Sequence, residues 1–353
     1  MKITLVFLMT LFWLNISAQQ VSPTQLTNQE KLALFSAIQN DSLFASRIRD
    51  TSNAIELYKQ FKINVNKSDS SFEGGQQRLH KIGYFGYTNK FELIPLVESL
   101  YGNTQFKKGS GVSYLIRTDS LTILFDTGID SDSLMCVLRY NMDIIGIDIS
   151  EIDIIFISHN HADHQNNWKW INDKTFVNPD SKSILPEIEI YVPEDELNID
   201  IAYTFSNDPL KIGEGVYTTG IIKAPFFFNS TQEQGLIFNI KDKGAIIVTG
   251  CGHQTIEKLF QRYDILSDIP LYGILGGLHF PVGVTGYYNA GRIPWEPFTL
   301  SDINKKIDYI RKQNIELIGV STHDSSRETI EAFKAAFSKE YKDLRTGDWL
   351  TVK

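Results

Sequence analysis

Only two cysteines, Cys136 and Cys251, occur in the 353 residues. No disulfide framework therefore holds this chain, and one bridge is the most it can form. A cationic balance is missing too: 34 Lys and Arg against 42 Asp and Glu leave a net charge of −8. That excludes a general binder of nucleic acid or anionic membrane, whose affinity needs a positive surface, although a local basic pocket is compatible with it. Beyond the extreme N-terminus no apolar run is long enough to cross a bilayer, and there is neither an internal repeat nor a low-complexity tract. What is present, 42% hydrophobic and 12% aromatic residues, can bury a substantial core in one large or two small domains.

Met1-Lys2 precedes an apolar stretch over 3–16 and the small residues Ser17-Ala18, followed by Gln19-Gln20. A charged start, a short apolar stretch and small residues at a cut site read as a secretory signal over 1–18, cleaved after Ala18. The stretch is too short to be a comfortable membrane anchor, and no cysteine follows it to be acylated. The expectation is an exported protein, periplasmic or secreted, with no stable membrane span after cleavage. Cys136 falls in an expected helix over 131–140 beside Leu134, Val137 and Leu138, which makes it a buried apolar thiol.

Thr27-Asn28-Gln29-Glu30 has the form of a capping box. Leu34, Phe35, Ile38, Leu43, Phe44 and Ile48 then recur at helical spacing, and Ile55, Leu57, Tyr58 and Phe61 mark a second helix. Residues 19–65 read as a helical extension and the polar, Gly- and Ser-containing stretch 64–75 as its linker, leaving 76–353 as the main domain. There the texture turns to short strands: 112–117 and 121–125 as a hairpin about Thr118-Asp119-Ser120, then 189–192, 216–223, 235–240 and 245–249. Helices are expected over 255–263, 300–312 and 326–337, the last with the core stripe Ile330, Phe333, Ala336 and Phe337. Strands lead and helices follow in each half, so helices should cover the outer faces of packed sheets.

The chemistry concentrates where apolar runs end. The run 152–157 leads into Ser158-His159-Asn160-His161-Ala162-Asp163-His164; 245–249 into Gly250-Cys251-Gly252-His253; 271–275 into Gly276-Gly277-Leu278-His279; 317–321 into Thr322-His323-Asp324. Each repeats a rigid strand, a turn and an imidazole at the tip, and loops held by a rigid scaffold are where sites are built. Imidazole nitrogen and carboxylate oxygen are the donors that hold zinc, iron or manganese near neutral pH. His253 and His323 therefore join the cluster as candidate ligands, while His279 is a ligand, a substrate contact or a proton donor. Asp126, which closes the strand before Thr127-Gly128, can accept from loop amides, orient a histidine ligand or simply form a turn. His80 has no such setting and reads as a surface residue.

The order of Leu124-Phe125-Asp126-Thr127-Gly128, His159-Asn160-His161-Ala162-Asp163-His164, a glycine-flanked strand end and a C-terminal His resembles the metallo-β-lactamase superfamily. Lys108-Gly109-Ser110-Gly111-Val112-Ser113-Tyr114-Leu115-Ile116, Thr249-Gly250-Cys251-Gly252-His253 and Gly276-Gly277-Leu278-His279 are similar to its subgroup named after a dihydropterin ribofuranosylaminobenzene phosphate synthase; the resemblance runs over about 91–353. It implies an α/β (α+β) fold, an αββα four-layer sandwich carrying the N-terminal helical extension. It further implies two divalent ions, zinc first, with iron or manganese also compatible. His159 and His161 would be ligands of the first ion, and Asp163, His164 and His323 of the second. The usual further His before the next strand is absent from 224–230, so the third ligand of the first ion becomes His253. Cys251 stands where hydrolases of the superfamily often carry a bridging Asp, and is either a ligand or part of the lining.

The implied reaction is hydrolysis of an ester, phosphoester, lactone or amide by a metal-activated hydroxide, with Asp163 orienting the nucleophile and His279 contacting the leaving group or oxyanion. An exported chain would not meet a cytosolic cofactor precursor, which turns the expectation from that synthesis towards hydrolysis of another small molecule. The alternative is a non-catalytic, metal-dependent binding protein for an anionic small molecule, its N-terminal helices docking a partner. Trp168 and Phe280 are candidates for pocket wall or core, and Arg292 or Lys223 for an anion contact; oligomeric state stays open.

Overall fold

The computed structural model describes residues 51–100, 102–129, 136–165, 188–195, 202–226, 229–282 and 298–353. The signal segment, the capping box, the first expected helix, Leu134, Trp168 and Arg292 lie outside the described residues. Helix α1 (Thr51–Gln76) comes first. One seven-stranded sheet is built from β1 (Phe91–Val97), β2 (Ser113–Arg117), β3 (Thr122–Phe125), β4 (Ile154–Phe156), β5 (Glu189–Val192) and β6 (Thr204–Phe205), with the C-terminal strand β15 (Leu350–Val352) paired to β1 at one edge. Helix α2 (Val137–Ile145) lies between β3 and β4 in the chain. The second sheet has six strands in the order β14, β13, β12, β11, β8, β7. These are β7 (Lys211–Gly213), β8 (Val216–Thr218), β11 (Leu236–Ile240), β12 (Gly244–Thr249), β13 (Leu271–Gly276) and β14 (Leu317–Val320). Among the described residues, strands β9 (Ile222–Phe226) and β10 (Asn229–Glu233) pair only with each other, antiparallel. Helices α3 (Ile256–Leu266), α4 (Leu300–Arg311) and α5 (Arg327–Ala336) complete the order.

Because successive strand residues point to opposite faces, each buried strand feeds two cores at once. Ile123, Phe125, Ile154 and Phe156 meet Phe238, Ile246 and Val248 between the sheets. Their alternates Leu124 and Ile155 turn outward to Leu138 and Met142 of α2. On the second sheet Ala245 and Ile247 face Phe260 of α3, Ile303 and Ile307 of α4 and Phe333 of α5. The result is the expected αββα layering, and α3 to α5 fall within one or a few residues of the spans their patterns indicate.

Three local readings change. The stretch 64–75 is not a linker but the C-terminal part of α1: Ser68 and Phe72, one turn apart, are buried, and tertiary packing overrides the weak helix propensity of Gly and Ser there. The expected strand 216–223 splits into β8 and β9 because the chain turns at Gly220, whose φ is +65°. The helix expected over 131–140 is seen over Val137–Ile145, with 131–135 outside the described residues; Cys136 is its half-buried N-cap, unbridged to Cys251.

Arg262 of α3, 3% exposed, fastens α1 to the sandwich. Its guanidinium donates to the Gln76 side-chain carbonyl and to the backbone oxygens of Thr219, at 2.7 Å, and Ile221, at 3.4 Å. Arg262→Ala should lower the unfolding free energy by about 3 kcal/mol, since several charge-assisted bonds and buried acceptors lose their partner together. Urea unfolding measures it, and a loss under about 1 kcal/mol would mean that Phe72 holds the helix without the arginine.

Candidate metal centre

Parallel pairing decides where the histidines go. Strands β3 and β4 run parallel with Phe125 opposite Phe156, and β12, β13 and β14 run parallel with Thr249, Gly276 and Val320 in register. Their C-terminal ends share one edge of the sandwich, so the loops that follow converge there. His159, Asp163, His164, Cys251, His253, His279 and His323 all leave strand ends at that edge.

Among the described residues three overlapping groups of donor atoms result, the atoms of each lying within 4.8 Å of one another: His159, His161 and His253; Asp163, His164 and His323; and His159, His164 and Cys251. His161 Nδ1 is 2.9 Å from His159 Nε2 and 3.2 Å from His253 Nε2. His323 Nε2 lies 3.1 Å from Asp163 Oδ2, and Cys251 Sγ lies 3.1 Å from His164 Nε2. Two nitrogen ligands of one tetrahedral zinc sit roughly 3.3 Å apart, so these spacings fit a cation between the donors. Protonation fits as well. Burial and the neighbouring imidazoles hold His159 and His253 well below the ordinary histidine range, leaving neutral lone pairs. Burial opposes ionisation of Asp163, but the hydrogen bond and charge of His323 hold it well below the usual carboxylate range.

Behind the donors lies a set of buried carboxylates. Asp126, at φ 55°, accepts from Ser158 N, Ser158 Oγ and His164 Nδ1, each at 2.7 Å; it thus both accepts from a loop amide and orients a histidine, leaving His164 Nε2 towards Cys251. Ser158 Oγ also lies 2.9 Å from His159 Nδ1. Glu233 of β10 accepts from the amides of Cys251, Gly252 and His253. Asp324 accepts from His279 N at 3.0 Å. Glu98, just past β1, accepts from Tyr114 Oη at 2.8 Å, Ser321 Oγ at 2.5 Å and Thr322 Oγ1 at 3.0 Å, while His323 N donates to that Ser321 oxygen at 3.1 Å. Burial pushes Glu233 and Asp324 each up to about 7. Sequence reasoning missed Glu98, Glu233 and Asp324; only Asp324, adjacent to His323, carried a local signal.

His279 has φ 53°, its ring centre is 4.5 Å from that of His253, and burial lowers its pKa to about 4. Its Nδ1 is buried with no hydrogen-bond partner among the described residues. Phe280 packs between Phe298 and Phe333 and belongs to the core. His80 is exposed. Lys223 is exposed and lines a cleft with Phe72, Arg78 and Arg262 that includes none of the histidines.

Fold and donor set together define a sandwich of the metallo-β-lactamase type with a candidate metal site at its edge. A family model described as the metallo-β-lactamase superfamily matches residues 107–198, and the resemblance seen in the motifs is thereby upheld. The chain is 28% identical, over 55% of its own length and 79% of the relative's, to 7,8-dihydropterin-6-methyl-4-(β-D-ribofuranosyl)-aminobenzene-5′-phosphate synthase of Methanocaldococcus jannaschii. It is 25% identical to an uncharacterized protein of the same organism over 62% of its length and 87% of that protein's. A crystal structure described as a metal-dependent hydrolase of the β-lactamase superfamily superposes with a TM-score of 0.51 at 18% identity, covering 74% of this chain and 99% of that one; the likeness is one of fold.

Asp126→Asn keeps the shape but turns an amide N–H towards one of three donors. It should weaken metal binding about 10- to 100-fold, as measured by competition with a chromogenic chelator; unchanged affinity would show that His164 holds its orientation without the charge.

Proposed function

We propose that this protein is a metal-dependent hydrolase acting on an ester, phosphoester, lactone or amide. His159, His161 and His253 would hold one divalent ion and Asp163, His164 and His323 a second, with Cys251 beside His164. The convergence of these side chains from three separate strand ends into groups of atoms within 4.8 Å carries the reading. A mixed nitrogen, oxygen and sulfur set suits zinc before iron or manganese. Bound there, the ions would supply Lewis acidity, bringing the pKa of water towards neutrality and polarising the electrophile.

The protein's own contributions follow from its protonation states. Asp163, kept as carboxylate, can accept a hydrogen bond from the attacking water and hold it in line. His279, neutral at pH 7 and half-buried beside His253, can offer its imidazole to the substrate oxygen or leaving group. The phosphate in the name of the methanogen relative puts phosphoesters first among substrates to test. Export to the periplasm or medium, on the 1–18 signal, belongs to the same reading; among the described residues no helix is long and apolar enough to cross a membrane.

Purified protein should contain two equivalents of metal per chain by elemental analysis; a single equivalent would overturn the dinuclear assignment. Chelation should abolish turnover of chromogenic phosphoester, ester and lactone substrates, and added zinc should restore it. Ligand capture with no turnover across the panel would replace the hydrolase with a binding protein. His279→Ala should lower kcat on the order of 100-fold or more while metal content stays at the wild-type value; equal loss of metal and rate would make His279 a ligand instead.

A further inference from the structure

Glu233 ends a hairpin that belongs to neither sheet, yet its side chain is fully buried. Oε1 accepts from Cys251 N at 3.0 Å and Gly252 N at 2.8 Å, and Oε2 from His253 N at 2.8 Å. Three successive amides can point at one carboxylate only if the backbone folds into a concave nest. The bend is at Gly252, with φ +76°, where a Cβ would come within 2.6 Å of the Gly277 carbonyl oxygen. The next residue, Gln234, reaches the other ligand loop: its amide donates to Ser158 O at 2.9 Å and its Nε2 to Ile157 O at 3.0 Å. Residues 233 and 234 thus join the root of the His159–His161 loop to the Cys251–His253 turn, at the two places from which the first donor set is assembled.

We infer that Glu233 is a positioning residue of the metal site, whose carboxylate sets the shape of the Cys251-Gly252-His253 turn and so places His253 against His161 and Cys251 against His164. The inference rests on the reading of the histidine cluster as a metal site. A buried carboxylate is costly unless its hydrogen bonds are filled, and those this one collects come from three consecutive residues, two of which present metal-type donor atoms. Truncating it would free the turn without touching a donor.

The test is Glu233→Gln, which preserves volume but sets an amide NH2 against at least one backbone N–H. With cobalt(II) as the probe, affinity should fall tenfold or more relative to wild type, and the thiolate-to-cobalt absorption from Cys251 should weaken. Hydrogen exchange in the metal-free variant should accelerate at the amides of 251–253. A variant with lower Tm but wild-type cobalt affinity and absorption would make Glu233 a merely structural acid and overturn the inference. If the variant does not fold, exchange in metal-free wild type decides: slow amides at 251–253 support the nest, and amides as fast as those of exposed loops overturn it. Wild type that takes up no cobalt would overturn the site reading and this inference with it, whereas wild type and E233Q binding equally well would overturn the inference alone.

Discussion

A carboxylate out of reach of water must find hydrogen-bond donors in the protein around it, and in this molecule the donors it finds sit on the histidine loops. Asp126 fastens Ser158 and His164, Glu233 the Cys251–His253 turn, Asp324 the His279 amide, and Glu98 the Ser321–Thr322 step before His323. The acids come from different parts of the chain, so each loop is held by an element other than the strand that delivers it. Imidazoles carried on turns alone would have the freedom of those turns; fastened from behind, they hold separations of 2.9 and 3.2 Å.

The layering makes this possible. Alternating side chains let each central strand pack against the other sheet on one face and a helix on the other, which leaves the strand ends as the place where polar groups can gather. Parallel order then brings five such ends to one edge. The antiparallel outer strands serve the same site indirectly, for β1 delivers Glu98, and the β9–β10 hairpin, outside both sheets, delivers Glu233.

The histidines were legible in the sequence because the signal is local: an apolar run, a turn and a ligand occupy some ten consecutive residues, and the glycines at 250, 252, 276 and 277 mark the tight backbone. The layering was legible for the same reason, since strand and helix periods can be read window by window. Glu98 and Glu233 were not, because what defines them is a partner far along the chain; Glu233 stands in the polar run Asn229–Glu233, which looks like any solvated hairpin. The C-terminal half of α1 was misread as linker for a related reason: Ser, Gly and charged residues dominate it, and only the docking of Phe72 and the grip of Arg262 on Gln76 decide for helix. Strand β1 was missed with Pro95 in its middle, at the point where the pairing with β2 shifts register.

The two donor sets differ electrostatically, and the difference follows from what surrounds them. The first holds three imidazoles and no acid; burial and mutual repulsion keep His159 and His253 uncharged, the form that donates a lone pair. The second contains a carboxylate, and there His323, although burial opposes it, is pushed up to about 9 by its bond to Asp163. Metal-free, that set holds an ion pair, with His323 Nε2 3.1 Å from Asp163 Oδ2. Cys251 between them is pushed well above the ordinary thiol range by burial and by Asp324, Asp163 and Glu233, so it too would carry a proton that a bound cation must displace. A cation entering the first set meets lone pairs at His159 and His253, whereas one entering the second must first displace the proton on His323. On the proposed assignment the two sites therefore fill in order, imidazole set before mixed set, and the gap between them narrows as pH rises.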